Sequence, residues 1–112
     1  MAAPNLDSIP NSFEALKANF KPEKAQGVTK AIQFDFSGRE PGSWTMHLDN
    51  GVYSYHQGPA ENPNATVDVD SDDWLKILKG EMNAVSAFMS GKIKIKGDMS
   101  LMMAFQNWFE RA

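Results

Sequence analysis

The sequence contains no cysteine, which excludes a disulfide framework, a thiolate nucleophile and any thiolate metal site. Histidine is scarce as well: His47 and His56 are the only two, and their spacing is neither H-x-x-x-H nor H-E-x-x-H, so no helical zinc motif is present. No run approaches the roughly 18 apolar residues that a membrane-spanning helix needs. Basic clusters are missing too, and with a formal net charge of -3 the chain has no general attraction to phosphate backbones; nucleic acid is not an expected partner. The glycine-containing stretches "GREPGSW" and "SGKIKIKG" lack the spacing and context of a phosphate-binding loop. No serine or threonine has a base and an orienting partner near it in the sequence. The chain is therefore not expected to be an enzyme, nor to hold a metal or another cofactor. Its N-terminus, "MAAPNLDSIPNSF", has neither a basic start nor a continuous apolar stretch, so a secretory signal is not expected and a cytoplasmic address is.

What is present describes one compact domain over residues 1–112. Hydrophobic residues make up 42% and charged residues 22% of the 112 positions, enough for a real core and too few residues for two. Phe13, Leu16 and Phe20 recur at helical spacing from Ser12 to Phe20, with Asn11 or Ser12 as the expected cap. A short second helix is expected in "KPEKAQG". "VTKAIQFDF" alternates with Val28, Ile32, Phe34 and Phe36 on one side, and "WTMHLD" places Trp44, Met46 and Leu48 together. "DNG" is a tight-turn signal into "VYSYH", and "ATVDVD" reads as a fourth strand.

"SDDWLKILKG" predicts a short helix capped by Ser71, with Asp72 and Asp73 in its first turn and an apolar face of Trp74, Ile77 and Leu78. "MNAVSAFMSG" predicts another, capped by Asn83, with Val85, Phe88 and Met89 on one side. "KIKIK" is the fifth strand, its lysines facing Asp68 and Asp70 across the sheet. Asp98 is the expected cap of a last helix running to about Arg111, with Leu101, Met102, Phe105, Trp108 and Phe109 on its apolar stripe. The fold class is α+β: a five-stranded, mainly antiparallel sheet covered on one face by about five helices. The four aspartates from 68 to 73 read as strand and helix-start residues, because a calcium loop would need a glycine and a glutamate that the segment lacks.

The last helix carries Met99 and Met103 beyond its main stripe. Three uses of that surplus stand open from the residues alone: a methionine-rich core, an exposed patch for a protein partner, or the wall of an apolar cavity, where flexible thioethers adapt to ligands of varying shape.

The stretch "GEMNAVSAFMSGKIKIKGDMSLMMAFQ", residues 80 to 106, resembles the sterol carrier protein 2 domain family. Gly80, Asn83, Ala87, Phe88, Gly91, Lys92, Lys94, Gly97, Asp98, Met99 and Gln106 match the family's pattern. "FEALKANFKPEKAQGV", "IQFDFSG", "SWTMHLDNG" and "SDDWLKILKG" follow it in order and spacing over nearly the whole chain. Ala84, His47 and Ala104 depart from it, the last replacing a charge by a methyl group. The resemblance implies a hydrophobic cavity between sheet and helices that takes up a fatty acid, a fatty acyl-CoA or a sterol-like lipid and transfers it, with transient membrane contact, as a monomer or weak dimer. Carried onto matching positions, the wall is Phe34, Trp44, Met46, Leu48, Ile77, Leu78, Phe88, Met89, Met102, Met103, Phe105 and Phe109, with Gln106 as the polar contact near the mouth. The alternative is a non-carrier accessory domain of the same fold, with a filled core and a protein partner.

Overall fold

The computed structural model describes residues 7–109, with the side chains of Met102, Met103 and Gln106 outside that description. Helix α1, Ile9–Asn19, starts a turn earlier than the periodicity predicts: the Ser8 hydroxyl accepts from the Asn11 N–H at 3.3 Å, and Pro10 stands in the first turn, where no backbone donor is required. Ser8, not Asn11 or Ser12, is the cap. The expected second helix is a single 3₁₀ turn, Pro22–Lys24.

Strands β1 (Thr29–Ser37), β2 (Gly42–Asp49) and β3 (Val52–Gln57) form an antiparallel meander. Asn50 and Gly51 at its second turn both have positive φ, +48° and +88°, the backbone that a two-residue hairpin loop of the primed type demands. Strand β4 (Ala65–Asp70) then pairs with β1 in parallel, and β5 (Ile93–Gly97) pairs with β4 antiparallel. The order is β3-β2-β1-β4-β5, so three of the four pairings are antiparallel, as the sequence predicts.

The chain reaches β4 by crossing the polar face of the sheet. Gly58 O accepts from the Thr45 hydroxyl, Ala60 N–H donates to Gln33 Oε1, and Asn64 Oδ1 accepts from Ala31 N–H. That strap leaves Thr45 with no exposure although it has the parity of the wet face. Elsewhere on this face Asp68 lies opposite Lys94 and 4.0 Å from the Lys96 ammonium, an exposed pairing that contributes less than about 1 kcal/mol.

Helix α2, Ser71–Leu78, is capped by Asp70, whose carboxylate accepts from the N–H groups of Asp72 and Asp73. Ser71, the expected cap, is the first helical residue. It is fully buried and accepts from Glu40 N–H, which ties the β1–β2 loop to the helix start. Helix α3, Ala84–Met89, is capped by Asn83 as predicted. Gly97 turns the chain out of β5 at φ +96°, where a Cβ would stand 2.5 Å from Asn64 O; no side chain fits there. Helix α4, Ser100–Trp108, then begins where Asp98 Oδ1 accepts from Ser100 N–H at 3.0 Å. A bond from the Ser100 hydroxyl, and then this backbone one, hold the Asp98 carboxyl below its ordinary range. Phe109 leaves the helix to bridge Phe20, and Arg111 lies outside the described residues.

Candidate functional site

The apolar faces of β1, β2 and β4 point at the helices, and the layer between them differs from one end to the other. At the α1 end it is filled by rings. Phe13 has no exposure, and its ring centroid lies 5.3 to 6.2 Å from those of Trp44, Tyr55, Phe34, Trp74 and Phe36. Such edge-on and offset pairs add to plain area burial.

The polar atoms in this half are matched. Trp74 Nε1–H donates to the Ser12 hydroxyl at 3.0 Å, that hydroxyl donates to Ile9 O, and the Tyr53 hydroxyl donates to Phe13 O at 2.9 Å. Burial, then the nearby Tyr55 and Glu14, push the Tyr53 phenol far above its ordinary pKa. The Tyr55 phenol, donating to the Glu14 carboxylate, is raised by that bond first and by burial second.

At the other end, where α2 finishes and α3, β5 and α4 meet the sheet, Ile77, Leu78, Met82, Phe88, Ile95, Ala104 and Phe105 pack on the core but are only half-buried. Aromatic contact reaches this end through Phe105, 6.2 Å from Trp74 and 4.9 Å from Phe109.

The residues assigned to a cavity wall from the sequence therefore fall into distinct positions. Phe34, Met46, Leu48 and Phe109 are buried in the core. Trp44, Ile77, Leu78, Phe88 and Phe105 are half-buried at its margin. Met89 is 79% exposed and points away from the layer rather than closing one end of it. Met102, Met103 and Gln106 lie outside the described side chains. The inward face of α2 is Trp74 and Leu75, so Ile77 and Leu78 flank it instead of forming it. Similarly Ala87, not Val85, is the buried residue of α3.

Sequence reasoning passed over Met82 and Ile95 as site residues. Ile95 carried a signal in its strand alternation; Met82 stands in the α2–α3 connection, where no periodicity points inward.

The remaining titratable groups stand apart from this layer. His47 Nε2 and His56 Nδ1 are 3.1 Å apart on the polar sheet face, with their rings stacked. Burial, then the neighbouring His56, lower the His47 pKa from the ordinary imidazole value. Between the start of α1 and α2 runs a surface groove of about 440 Å³ lined by Asp7, Arg39, Asp72, Leu75, Lys76 and Lys79, in which Arg39 pairs with Asp72 at 3.1 Å. Among the described residues no three histidine, aspartate or glutamate side chains converge as a metal site would require. No helix among them is long and apolar enough to cross a membrane.

Comparison with known proteins agrees with this geometry. The chain is 36% identical over 107 residues to hydroxysteroid dehydrogenase-like protein 2 of Xenopus tropicalis, covering 93% of this chain and 26% of that protein. It thus spans about a quarter of that curated relative. Its fold superposes on palmitated SCP2L2 from Aedes aegypti with a TM-score of 0.74 at 22% identity, covering 93% of this chain and 99% of the other. It also superposes on part of the inverting sec-alkylsulfatase Pisa1 from Pseudomonas sp., with a TM-score of 0.81 at 19% identity over 91% of this chain and 16% of the enzyme. The model of the SCP-2 sterol transfer family matches residues 11–110. A five-stranded sheet with its helices on one face, and a family match over nearly every described residue, make this chain a member of the SCP-2 sterol transfer family.

Proposed function

We propose that this domain binds a lipid with a long apolar chain, such as a fatty acid, a fatty acyl-CoA or a sterol-like molecule, and transfers it between membranes. The observation that carries the reading is the asymmetry of the apolar layer. One end is a stack of rings around the fully buried Phe13, with only Trp44 and Tyr55 of that stack half-buried, and the other ends in Ile77, Leu78, Met82, Phe88, Ile95 and Phe105, none of them fully covered. An acyl chain entering among these side chains would complete their burial. Each methylene taken from water is worth about 0.8 kcal/mol, so eight of them supply about 6 kcal/mol against the cost of association without any catalytic group. Phe34, Met46, Leu48 and Phe109 form the floor of this site and Trp44 its border with the ring stack.

The test is displacement of a fluorescent fatty acid by palmitate, run on the native chain and on Ile95→Trp. The indole added at a half-buried margin should weaken binding at least tenfold while the far-ultraviolet circular dichroism stays unchanged. Equal affinity of the two proteins contradicts the site.

A second reading rests on the quarter-length match to a dehydrogenase-like protein and the one-sixth match to an alkylsulfatase. In that reading the domain is an accessory module with a filled core that docks on a catalytic partner. It predicts purification as an obligate complex with no lipid bound.

A further inference from the structure

We propose that His47 and His56, side by side on the polar face of the sheet, form a two-imidazole site for a divalent transition-metal ion such as Cu2+, Ni2+ or Zn2+. The ion clips the edge strand β3 to β2.

Strand register creates the pair. Thr45 lies opposite His56 and Ser54 opposite His47, so the two histidines are diagonal neighbours on one face, within reach of each other's rings. His47 Nε2 and His56 Nδ1 are 3.1 Å apart. With metal-to-imidazole bonds of about 2.0–2.1 Å, nitrogens so spaced subtend about 95–100° at a shared ion. That angle lies between the square-planar and tetrahedral geometries that these ions adopt. Histidine χ2 is a broad torsion, and turning each ring about it directs both lone pairs at one point without moving either strand. In the neutral pair one ring lends its N–H to the other. On binding, that hydrogen passes to the outer nitrogen of the same ring, so one tautomer changes and no proton is lost.

The backbone beneath both rings is held from outside the ladder as well as within it. Thr45 is fully buried and its hydroxyl donates to Gly58 O, while Gly58 N–H donates to Ser43 O. Gly58 also borders the His56 ring, since a Cβ there would stand 3.8 Å from His56 Cδ2. Ligands on paired strands keep their geometry better than ligands on a loop.

The nitrogens are available to an ion. Among the described residues no carboxylate or carbonyl bonds to either ring, and the two rings bond to each other. His47 is half-buried and His56 exposed, so solvent reaches the pair. Asp49 shares this face two residues along β2. Lys94 and Lys96 are on β5, three strands from β2, which is about 14 Å at the usual strand spacing and beyond the Debye length of about 8 Å at physiological salt. Three protein ligands would hold a resident ion, and among the described residues no such trio converges. Two imidazoles instead make an open, exchangeable site whose other positions water fills, and Cu2+ binds such a site most tightly of the three ions.

The experiment is calorimetric titration of the native chain with Cu2+, with pulsed electron spin resonance counting the imidazoles on the bound ion, and urea unfolding with and without Zn2+. The native chain should take up one Cu2+ through two imidazoles. His47→Gln and His56→Gln should each bind about 100-fold more weakly, because the second bond of a chelate is intramolecular. Ser54→Ala, which alters the neighbour opposite His47 and removes no ligand, should bind as the native chain does. At free Zn2+ of about 100 times the native Kd the unfolding equilibrium constant should fall about 100-fold, and by only about twofold in either glutamine variant. Unfolding without metal checks that every variant folds.

Absence of saturable binding, a Cu2+ form with a single imidazole, or glutamine variants that bind as tightly as the native chain would each overturn the site. So would a Ser54→Ala loss as large as theirs, or a metal-dependent dimer with the ion held between two chains.

Discussion

Phe13→Ala should be the most destabilising single truncation in the layer, and it should leave lipid affinity alone. The ring has no exposure and five aromatic neighbours within 6.2 Å. Removing it forfeits the transfer energy of a fully buried phenyl group, and the rings around the gap are themselves locked and cannot collapse into it. Phe→Ala changes in cores cost about 3–5 kcal/mol, and ring pairs add about 0.5–1.5 kcal/mol beyond area, so the upper end applies, about 4–5 kcal/mol. With a urea m-value of about 2 kcal/mol/M, the midpoint of equilibrium unfolding should fall by about 2 M. Phe105→Ala provides the contrast. Its ring is half-buried, so the loss should stay below about 2 kcal/mol, while the affinity for the fluorescent fatty acid should change measurably. A Phe13→Ala cost under about 1.5 kcal/mol, or equal costs at the two positions, would refute the division of the layer into a packed half and an open one.

Gly97→Ala should cost about 2–4 kcal/mol in the same assay, because a positive φ and a collision with the backbone at Asn64 act together; a change under about 1 kcal/mol would mean the turn relaxes. Asp70→Ala should cost about 1 kcal/mol through loss of the two N–H bonds that start α2, with Ser71→Ala as the comparison that separates the cap from the buried hydroxyl. His47 has a folded pKa below its unfolded value, so the unfolded chain binds more protons on acidification. Stability should therefore be highest above about pH 6.5 and decline as pH falls from there toward the folded pKa. His47→Gln should flatten that part of a stability profile, and an unchanged slope would assign it to other groups.

The order of helices and strands was legible in the sequence because each element carries its own period. Ile32, Phe34 and Phe36 alternate, Trp74 follows a run of helix-start acids, and Asn50-Gly51 suits only a tight turn. Legibility failed where the deciding partner is distant in sequence. Ser71 looks like a helix cap, but Asp70 takes that place because Glu40 from the β1–β2 loop claims the serine hydroxyl. The one-turn-earlier start of α1 depends on Ser8 and Pro10, which lie before the first periodic apolar residue. The parallel pairing of β4 with β1 follows from the strap over Thr45, Gln33 and Ala31, and no local pattern announces it.

The candidate site was legible as a set of inward-facing residues and much less as a shape. Parity marks Phe34, Met46 and Leu48 as inward without showing that they lie under other side chains, and helical spacing groups Met89 with Phe88 although α3 turns it to solvent. The ring stack around Phe13 joins residues as far apart as positions 13 and 74, and only the folded chain shows which of the inward-facing side chains it gathers and which stay half-buried at the margin.

Whether a lipid occupies that end is read most directly by native mass spectrometry of the chain after gentle purification. The account predicts a population carrying one lipid per chain, which delipidation removes and added palmitate restores. A ligand-free chain that takes up no palmitate, or a species seen only in complex with another protein, would contradict it.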